Sequence, residues 1–404
     1  MTAGDEVSTR EGADVEALLR AALDVNELID VAQGLIRCPS TNPPGGEEEV
    51  ARLVARHLER AGARDITTVV AAPGRHSVIV RWGTPGGRVL AWNGHTDVVP
   101  VGDERDWRYP PFSGQVAGGR LWGRGATDMK GSIAAVLQAL TTIARAGLEP
   151  RGEVAFSIVA DEECGGQQGA GYLREHHLLP PADAGICGEP TGLNVLTAAR
   201  GRLWVDITTY GTSVHASQPE RGVNAIVDML KVAQALEMLG PSTGPAGTHA
   251  LTATPTVIRG GDSPNSVPDQ CTLTIDRRFL ASEGAAAARQ AILSSVERVG
   301  KEDGIRVEVI EHACLDASEI DPDEEIVGTA LEAVAKVTGT RPSIGEMYGA
   351  TDARFLIGAG IPTIIFGPGH LSDAHTIDES ISLEALTAGA LVYAAVICRF
   401  LGIS

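Results

Sequence analysis

Four apolar runs in this chain each lead to a side chain able to bind a cation, and that pattern limits the fold more than any other feature. Val89-Leu90-Ala91-Trp92-Asn93 leads to His95 and Asp97, and Val154 to Ala160 leads to Glu162-Glu163. Ala184-Gly185-Ile186-Cys187 leads to Glu189, and Thr363-Ile364-Ile365-Phe366 leads into the loop bearing His375. Each run reads as a buried β-strand. In an open α/β sheet, ligands bind beyond the carboxyl ends of the strands, so such a fold would bring these side chains to one rim. Asp128 is the exception, standing ahead of a helical segment. Imidazoles and carboxylates in this number suffice for two divalent cations, and the pattern points to a two-metal hydrolase.

A chain of 404 residues exceeds what one hydrophobic core usually serves, so two domains are expected. Its 43% apolar and 21% charged residues are ordinary for a globular protein. A net charge of −19 weighs against nucleic acid or an anionic membrane as partner. No apolar run of membrane-spanning length is expected, and the acidic N-terminus lacks a signal pattern. The six cysteines stand singly with no C-x-x-C, which reads as free thiols in a cytoplasmic protein.

Residues 1–14 read as a disordered tail, small and charged without periodicity. Helical periodicity follows at Val25–Ile36, Glu48–Ala61 and Gly131–Ala146. In the last, Ile133, Val136, Leu137, Leu140 and Ile143 would share a face. Apolar strands between these helices predict a largely parallel sheet covered by helices. The pattern then changes to βαββαβ: strands at Leu203–Tyr210, Leu251–Val257, Cys271–Phe279 and Ile305–Ile310, with helices at Ala225–Leu239 and Ala285–Val299. Helix and strand alternation resumes with Glu324–Thr338, Pro362–Phe366 and Leu383–Phe400. Residues 15–198 and 316–404 are therefore expected to form a catalytic metal-binding domain, with 199–315 inserted into it.

Taken singly, each polar motif also has an ordinary structural reading. His95 can be a satisfied polar residue at a strand end, Asp128 a helix N-cap, Glu162-Glu163 a solvated loop, Glu189 part of a turn and His375 a surface histidine. Their joint occurrence favours the metal site. His95 and Asp97, two apart on an extended segment, would share a face, and an aspartate beside a ligating histidine commonly orients its ring. Adjacent Glu162 and Glu163 would point to opposite sides, one toward metal and one toward a water proton.

The motifs Asn93-Gly-His-Thr-Asp-Val-Val-Pro100, Gly123-Arg-Gly-Ala-Thr-Asp-Met-Lys-Gly131, Asp161-Glu-Glu163, Gly188-Glu-Pro-Thr191 and Ala374-His-Thr-Ile-Asp-Glu379 together resemble the M20 metallopeptidases. The resemblance runs over nearly the whole chain. It implies an α/β, zinc-peptidase-like catalytic domain with a central, mostly parallel sheet flanked by helices, and an inserted α+β lid and dimerisation domain. By motif, Asp128 would bridge two metals, His95 and Glu189 would complete one site, and Glu163 and His375 the other. Asp97 would orient His95, and Glu162 would be the general base. A cis peptide at Asp128-Met129 is also implied. In Gly211-Thr-Ser-Val-His-Ala-Ser217, His215 would reach a dimer partner's site as an oxyanion donor, with Asn265 a second donor. Arg278 and Arg354 would clamp a substrate carboxylate, with Thr351 beside Arg354 also binding substrate. Ser217-Gln218 departs from the desuccinylase pattern, so the resemblance reaches the family rather than one substrate.

The expected activity is hydrolysis of an N-acyl group from an amino acid or related small molecule, with metal-held hydroxide attacking the amide carbonyl. Zinc suits the mixed donors best, and cobalt or manganese fits the same set. A carboxypeptidase or dipeptidase with the same site is the alternative. A binding protein that kept the fold would be expected to have lost Glu162 or a ligand, and none is missing. The expected protein is a cytoplasmic homodimer.

Overall fold

The computed structural model describes residues 14–237, 239 and 252–403. The tail expected over 1–14 lies outside these residues except for Asp14, whose side chain accepts a hydrogen bond from Ala17 N as the N-cap of the first helix. By internal packing the chain forms two units. One holds Met1–Thr197, Ile320–Glu346 and Thr351–Ser404, and the other Ala198–Glu319 with Met347–Ala350.

The first unit begins with helices α1 (Val15–Ala22), α2 (Val25–Ile36) and α3 (Glu48–Arg60). Strands β1 (Arg64–Ala72), β2 (Arg75–Gly83), β3 (Val89–His95), β4 (Gln115–Ala117) and β5 (Arg120–Trp122) follow. Next come α4 (Lys130–Arg145), β6 (Glu153–Val159), α5 (Ala170–Glu175), β7 (Ala184–Cys187) and β8 (Val195–Ala199). The second unit adds β9 (Gly201–Tyr210), α6 (Ala225–Glu237), β10 (Ala253–Gly260), β11 (Gln270–Phe279), α7 (Gly284–Asp303), β12 (Arg306–Leu315) and β13 (Ser318–Glu319). The chain then returns as α8 (Glu325–Thr338), β14 (Ile344–Met347), α9 (Ala353–Ile357), β15 (Thr363–Ile365), β16 (Ser380–Ser382) and α10 (Leu383–Leu401).

The main sheet runs β1-β2-β6-β3-β7-β15-β8-β13, with β14 also paired to β8. Its centre, β6-β3-β7-β15, is parallel, while β1, β2 and β8 join antiparallel. Strands covered on both faces carry continuous apolar runs, and every residue of β6 is buried. The α/β architecture expected from the motifs is the one observed. A small antiparallel sheet, β16-β5-β4, was not anticipated; strands of three residues carry too little alternation to read.

Helix α4 is buried well beyond its expected apolar stripe, from Lys130 through Leu140 without a break, as befits a helix packed on several sides. Its neighbours include α2, α10 and β3. Helix α10 corrects one expectation, because by length and composition alone it is apolar enough to cross a membrane. Here it is a core helix, with the run Gly389–Cys398 buried and α4 and α8 beside it.

Beneath the sheet's carboxyl edge lies an aromatic cluster. Tyr393 meets Trp92 and Phe366 edge to face, at ring separations of 6.0 and 5.7 Å. Its hydroxyl donates to the Phe366 carbonyl at 2.9 Å and lies 2.7 Å from Ser132 Oγ.

The second unit is an antiparallel sheet, β10-β11-β9-β12, in the expected βαββαβ order. Leu203, Val205, Ile207, Leu273 and Ile275 share one core with the inner sides of α6 and α7, and alternation along β9 and β11 places them there.

Removing the Tyr393 hydroxyl alone (Tyr393→Phe) should cost about 1–2 kcal/mol, the usual price of an unmatched buried partner. Tyr393→Ala should cost about 3–5 kcal/mol by opening a core cavity. Urea unfolding of both variants checks the order; equal losses would mean that the hydroxyl carries the whole effect.

Candidate metal centre

The four strands that end in candidate ligands are the four adjacent parallel ones. Register aligns their ends: His95 stands opposite Val159, and Cys187 opposite both Asn93 and Ile365. The chain therefore leaves β3, β6 and β7 within three residues of His95, Glu162 and Glu189. Asp128 arrives from the turn before α4, and its peptide bond to Met129 is cis. The start of α4 has no side-chain cap, so Asp128 does not fill the ordinary role of an aspartate before a helix.

The Asp128 carboxylate instead faces two imidazoles, one with each oxygen. Oδ1 is 3.1 Å from His95 Nε2, and Oδ2 is 3.3 Å from His375 Nε2. Glu189 stands 3.9 Å from His95 Nε2, and Glu163 lies 3.1 Å from His375 Nε2. Among the described residues two triads have donor atoms within 4.8 Å of one another: His95, Asp128 and Glu163, and His95, Glu162 and Glu189. Glu162 thus stands among the potential ligands as well as in the expected position of a base. His95 is buried, whereas the His375 side chain is half exposed at the edge of the cluster.

Crowded carboxylates set the electrostatics. Burial, then the charge of Asp128, pushes Glu189 up to about 8, and burial with the nearby charge of Glu189 lifts Glu162 well above its usual range. Burial would also raise Asp128, but hydrogen bonds with His375 and His95 overturn that and hold it well below the carboxylate range. Those bonds raise the imidazoles in turn. His375 reaches about 10 beside Asp128 and Glu163. His95 is lifted well above its usual value despite a burial penalty, by Asp128 and the nearby Asp97. Such a set, with one carboxylate shared between two imidazole and carboxylate groups, fits a pair of divalent cations in place of the imidazolium protons.

Asp97 meets the His95 ring through its backbone rather than its carboxylate. Its carboxylate is 3.6 Å from His95 Nδ1, outside hydrogen-bond range; the ring nitrogen lies 2.9 Å from the Asp97 backbone carbonyl instead. The carboxylate accepts from the backbone amides of Glu162 and Glu163 at 3.2 and 3.1 Å, and from Asn42 at 2.8 Å. It thereby holds a 3-10 turn, Glu162–Cys164, that starts from Asp161 in left-handed backbone. The two glutamates diverge because of this turn, not because they continue the alternation of a strand.

Thr351 and Arg354 belong to the same unit as the cluster. Arg354 is buried and donates to the carbonyls of Thr351 and Gly165, both at 2.6 Å, so it ties the α9 segment to the end of the Glu162 turn. The buried Thr351 hydroxyl has no hydrogen-bond partner among the described residues. The sequence reading missed Asp352, which is buried with neither oxygen hydrogen-bonded among the described residues. A Cβ at Gly166 would come within 2.3 Å of its Oδ1. Burial raises Asp352 to about 7 against the pull of Arg354.

His215, Asn265 and Arg278 lie in the second unit. His215 is exposed, and its Nδ1 accepts from Ser217 N at 3.2 Å. With Nδ1 accepting, Nε2 is the ring nitrogen left to donate. Asn265 is adjacent, its carbonyl accepting from Ala216 N at 2.9 Å. Arg278 is paired through two nitrogens with Asp276, at 2.7 and 3.0 Å; to clamp a substrate carboxylate it would have to exchange that partner.

The sequence profile of peptidase family M20/M25/M40 matches residues 91–399. A succinyl-diaminopimelate desuccinylase from Cereibacter sphaeroides is 31% identical over 368 residues, spanning 89% of this chain and 95% of that protein. The aminopeptidase PepT of Bacillus cereus superposes with a TM-score of 0.78 at 22% identity, covering 93% of this chain and 98% of that one. Sso-CP2, an M20 family metallo-carboxypeptidase of Sulfolobus solfataricus, gives 0.77 at 19% identity over 92% and 98%.

A histidine raised to about 10 stabilises the fold fully below its unfolded value of about 6.5, and that contribution is lost as pH rises through about 10. At pH 7 both imidazoles of the metal-free protein should therefore hold protons, and cation uptake should expel them. Calorimetry at pH 7 in buffers of differing ionisation enthalpy should show at least these two protons leaving per chain; uptake without proton release would remove the histidines from the ligand set. Asp352 works in the opposite sense. A carboxyl raised to about 7 costs nothing below its unfolded value of about 3.8 and costs most above 7. Asp352→Asn should thus stabilise the metal-free protein by an amount that grows from pH 4 to pH 8 in urea unfolding, and a constant difference would contradict this.

Proposed function

This chain belongs to peptidase family M20/M25/M40 and is a metal-dependent amide hydrolase, and on that premise we propose that it removes N-acyl groups from amino acids at two divalent cations. The observation that carries the proposal is Asp128, which turns one carboxylate oxygen to each imidazole. His95 and Glu189 would complete one cation site, and Glu163 and His375 the other. Mixed imidazole and carboxylate donors suit zinc, and cobalt or manganese fits the same set. Bound cations would polarise the amide carbonyl and acidify a water molecule.

The chain's own groups then move the proton. Glu162, its affinity for a proton raised by burial and by Glu189, takes one from the water and returns it to the departing amine. Asp97 keeps Glu162 in place through its backbone amide. In a homodimer, His215 donating from Nε2 would steady the oxyanion in the partner's site, with Asn265 beside it. A carboxypeptidase or dipeptidase would use the same groups with a different acyl part; the desuccinylase name of the 31% identical relative favours the deacylase.

A homodimer through the second unit completes the reading. Val223, Val227 and Leu230 on and before α6 are exposed, as are Val257 and Ile258 on the edge strand β10. An apolar edge strand of this kind is usually covered by another chain. All six cysteines are free thiols, which supports a cytoplasmic setting.

Zinc- or cobalt-loaded protein should hold about two ions per chain and hydrolyse members of a panel of N-acyl amino acids and dipeptides. Glu162→Gln should keep both ions and lose about 10²–10⁴-fold in kcat. Loss of an ion from this variant would make Glu162 a ligand, and full activity would end its role as base. Ile258→Glu should give folded monomers in sedimentation; a dimer that survives it would have to be built elsewhere.

A further inference from the structure

We propose that Glu379, locked by Arg124, is a positioning residue that sets Asp128 between the two cation sites. The proposal rests on the dinuclear reading above. Glu379 has no solvent exposure and Arg124 only 2%. Each Glu379 carboxylate oxygen has its own task. Oε2 pairs with Arg124 Nη1 at 2.6 Å, while Oε1 accepts from the backbone amides of Thr127 and Asp128 at 2.9 and 3.1 Å.

These bonds fix the backbone that carries Asp128. An aspartate ahead of a helix ordinarily turns back to cap the first helical amides. Here Glu379 holds the amides of Thr127 and Asp128 itself, the first amide of α4 (Lys130) donates to the Gly125 carbonyl, and α4 has no side-chain cap. The Asp128 side chain is left pointing away from the helix, with both oxygens toward the imidazoles.

The same pair joins two ligand-bearing loops. Gly123 N donates to the Glu379 carbonyl at 2.9 Å, and the Thr127 hydroxyl donates to the Ser380 carbonyl at 3.0 Å. Arg124 also reaches the carbonyl of Thr376, next to His375, at 3.1 Å, and that of Pro100 at 3.3 Å. Asp128 and His375 thus have their spacing set by one clamp. A buried ion pair is weak evidence for stability, since apolar replacements often serve as well. Its worth here lies in geometry, as with the outer partners that orient metal ligands.

The test compares wild type, Glu379→Gln and the double variant Arg124→Met/Glu379→Gln. In Glu379→Gln the amide cannot both accept from the two backbone amides and accept from Arg124, so the clamp breaks on one side. In the double variant the glutamine oxygen is free to serve the backbone amides alone. Zinc affinity by chelator competition, the visible spectrum of the cobalt-loaded protein and urea unfolding without metal are read for each. Glu379→Gln should bind zinc about 10–100-fold more weakly with an altered cobalt spectrum, and the double variant, which also loses the Arg124 bonds to Thr376 and Pro100, should bind no more tightly. A lowered unfolding midpoint with wild-type zinc affinity and spectrum would mean a merely structural pair and overturn the proposal. Recovery of wild-type affinity and spectrum in the double variant would show that Arg124 need not lock Glu379 and would overturn it too. If wild type itself takes up no metal, the dinuclear reading fails first and this inference with it.

Discussion

Repulsion between carboxylates is the constraint on which the rest of this structure depends. Asp128, Glu162, Glu163 and Glu189 converge at the ends of buried strands, where water cannot screen them. Only a dense positive charge makes such a cluster tolerable. In the absence of cations the two imidazoles provide it in part, which is why His375 and His95 hold protons so strongly. The residues around the cluster are arranged to keep it in place. Asp97 ties down the Glu162 turn, Arg354 ties its far end, and Arg124 with Glu379 secures the Asp128 turn.

Much of this could be read in the sequence because the centre of the sheet is parallel. Parallel strands emerge at one edge, so a polar residue after each apolar run is enough to place several ligands together without knowing any contact. The long helices were legible for a similar reason: α2, α6 and α10 carry apolar periodicity over three or more turns, and their starts fall where expected. The βαββαβ order of the second unit was visible in alternation along β9 and β11.

What the sequence did not show are the contacts these side chains make, most of them with residues far apart in the chain. Glu162 and Glu163 follow a strand, but their directions come from a left-handed Asp161 and from Asp97, more than sixty residues earlier. Arg354 matches a clamp motif, yet the carbonyls of Thr351 and Gly165 take up its guanidinium. Arg278 is taken by Asp276, two residues away on the same strand. Asp352 stands two residues before Arg354, but nothing local marks a carboxyl that will be buried without a hydrogen bond among the described residues. Glu379 stood inside a recognised motif, but its work is done on a turn some 250 residues earlier. Helix α10 shows the converse: its composition alone would suit a membrane, and only its packing reveals a core helix.

The order of strands in the main sheet bears on how the chain must be assembled. β15 pairs with both β7 and β8, yet β7 is made more than 170 residues before β15, with the whole second unit synthesised in between. Until residue 365 has emerged, the edge of β7 has no neighbour on that side, and α10, which covers the core, comes later still. During synthesis the first unit must wait half-built, its carboxylates gathered but its last histidine and its covering helix still missing. A ribosome-bound chain stalled before α10 should therefore expose the apolar surface that the finished protein hides, which makes the final helix the step that commits the catalytic unit to its fold.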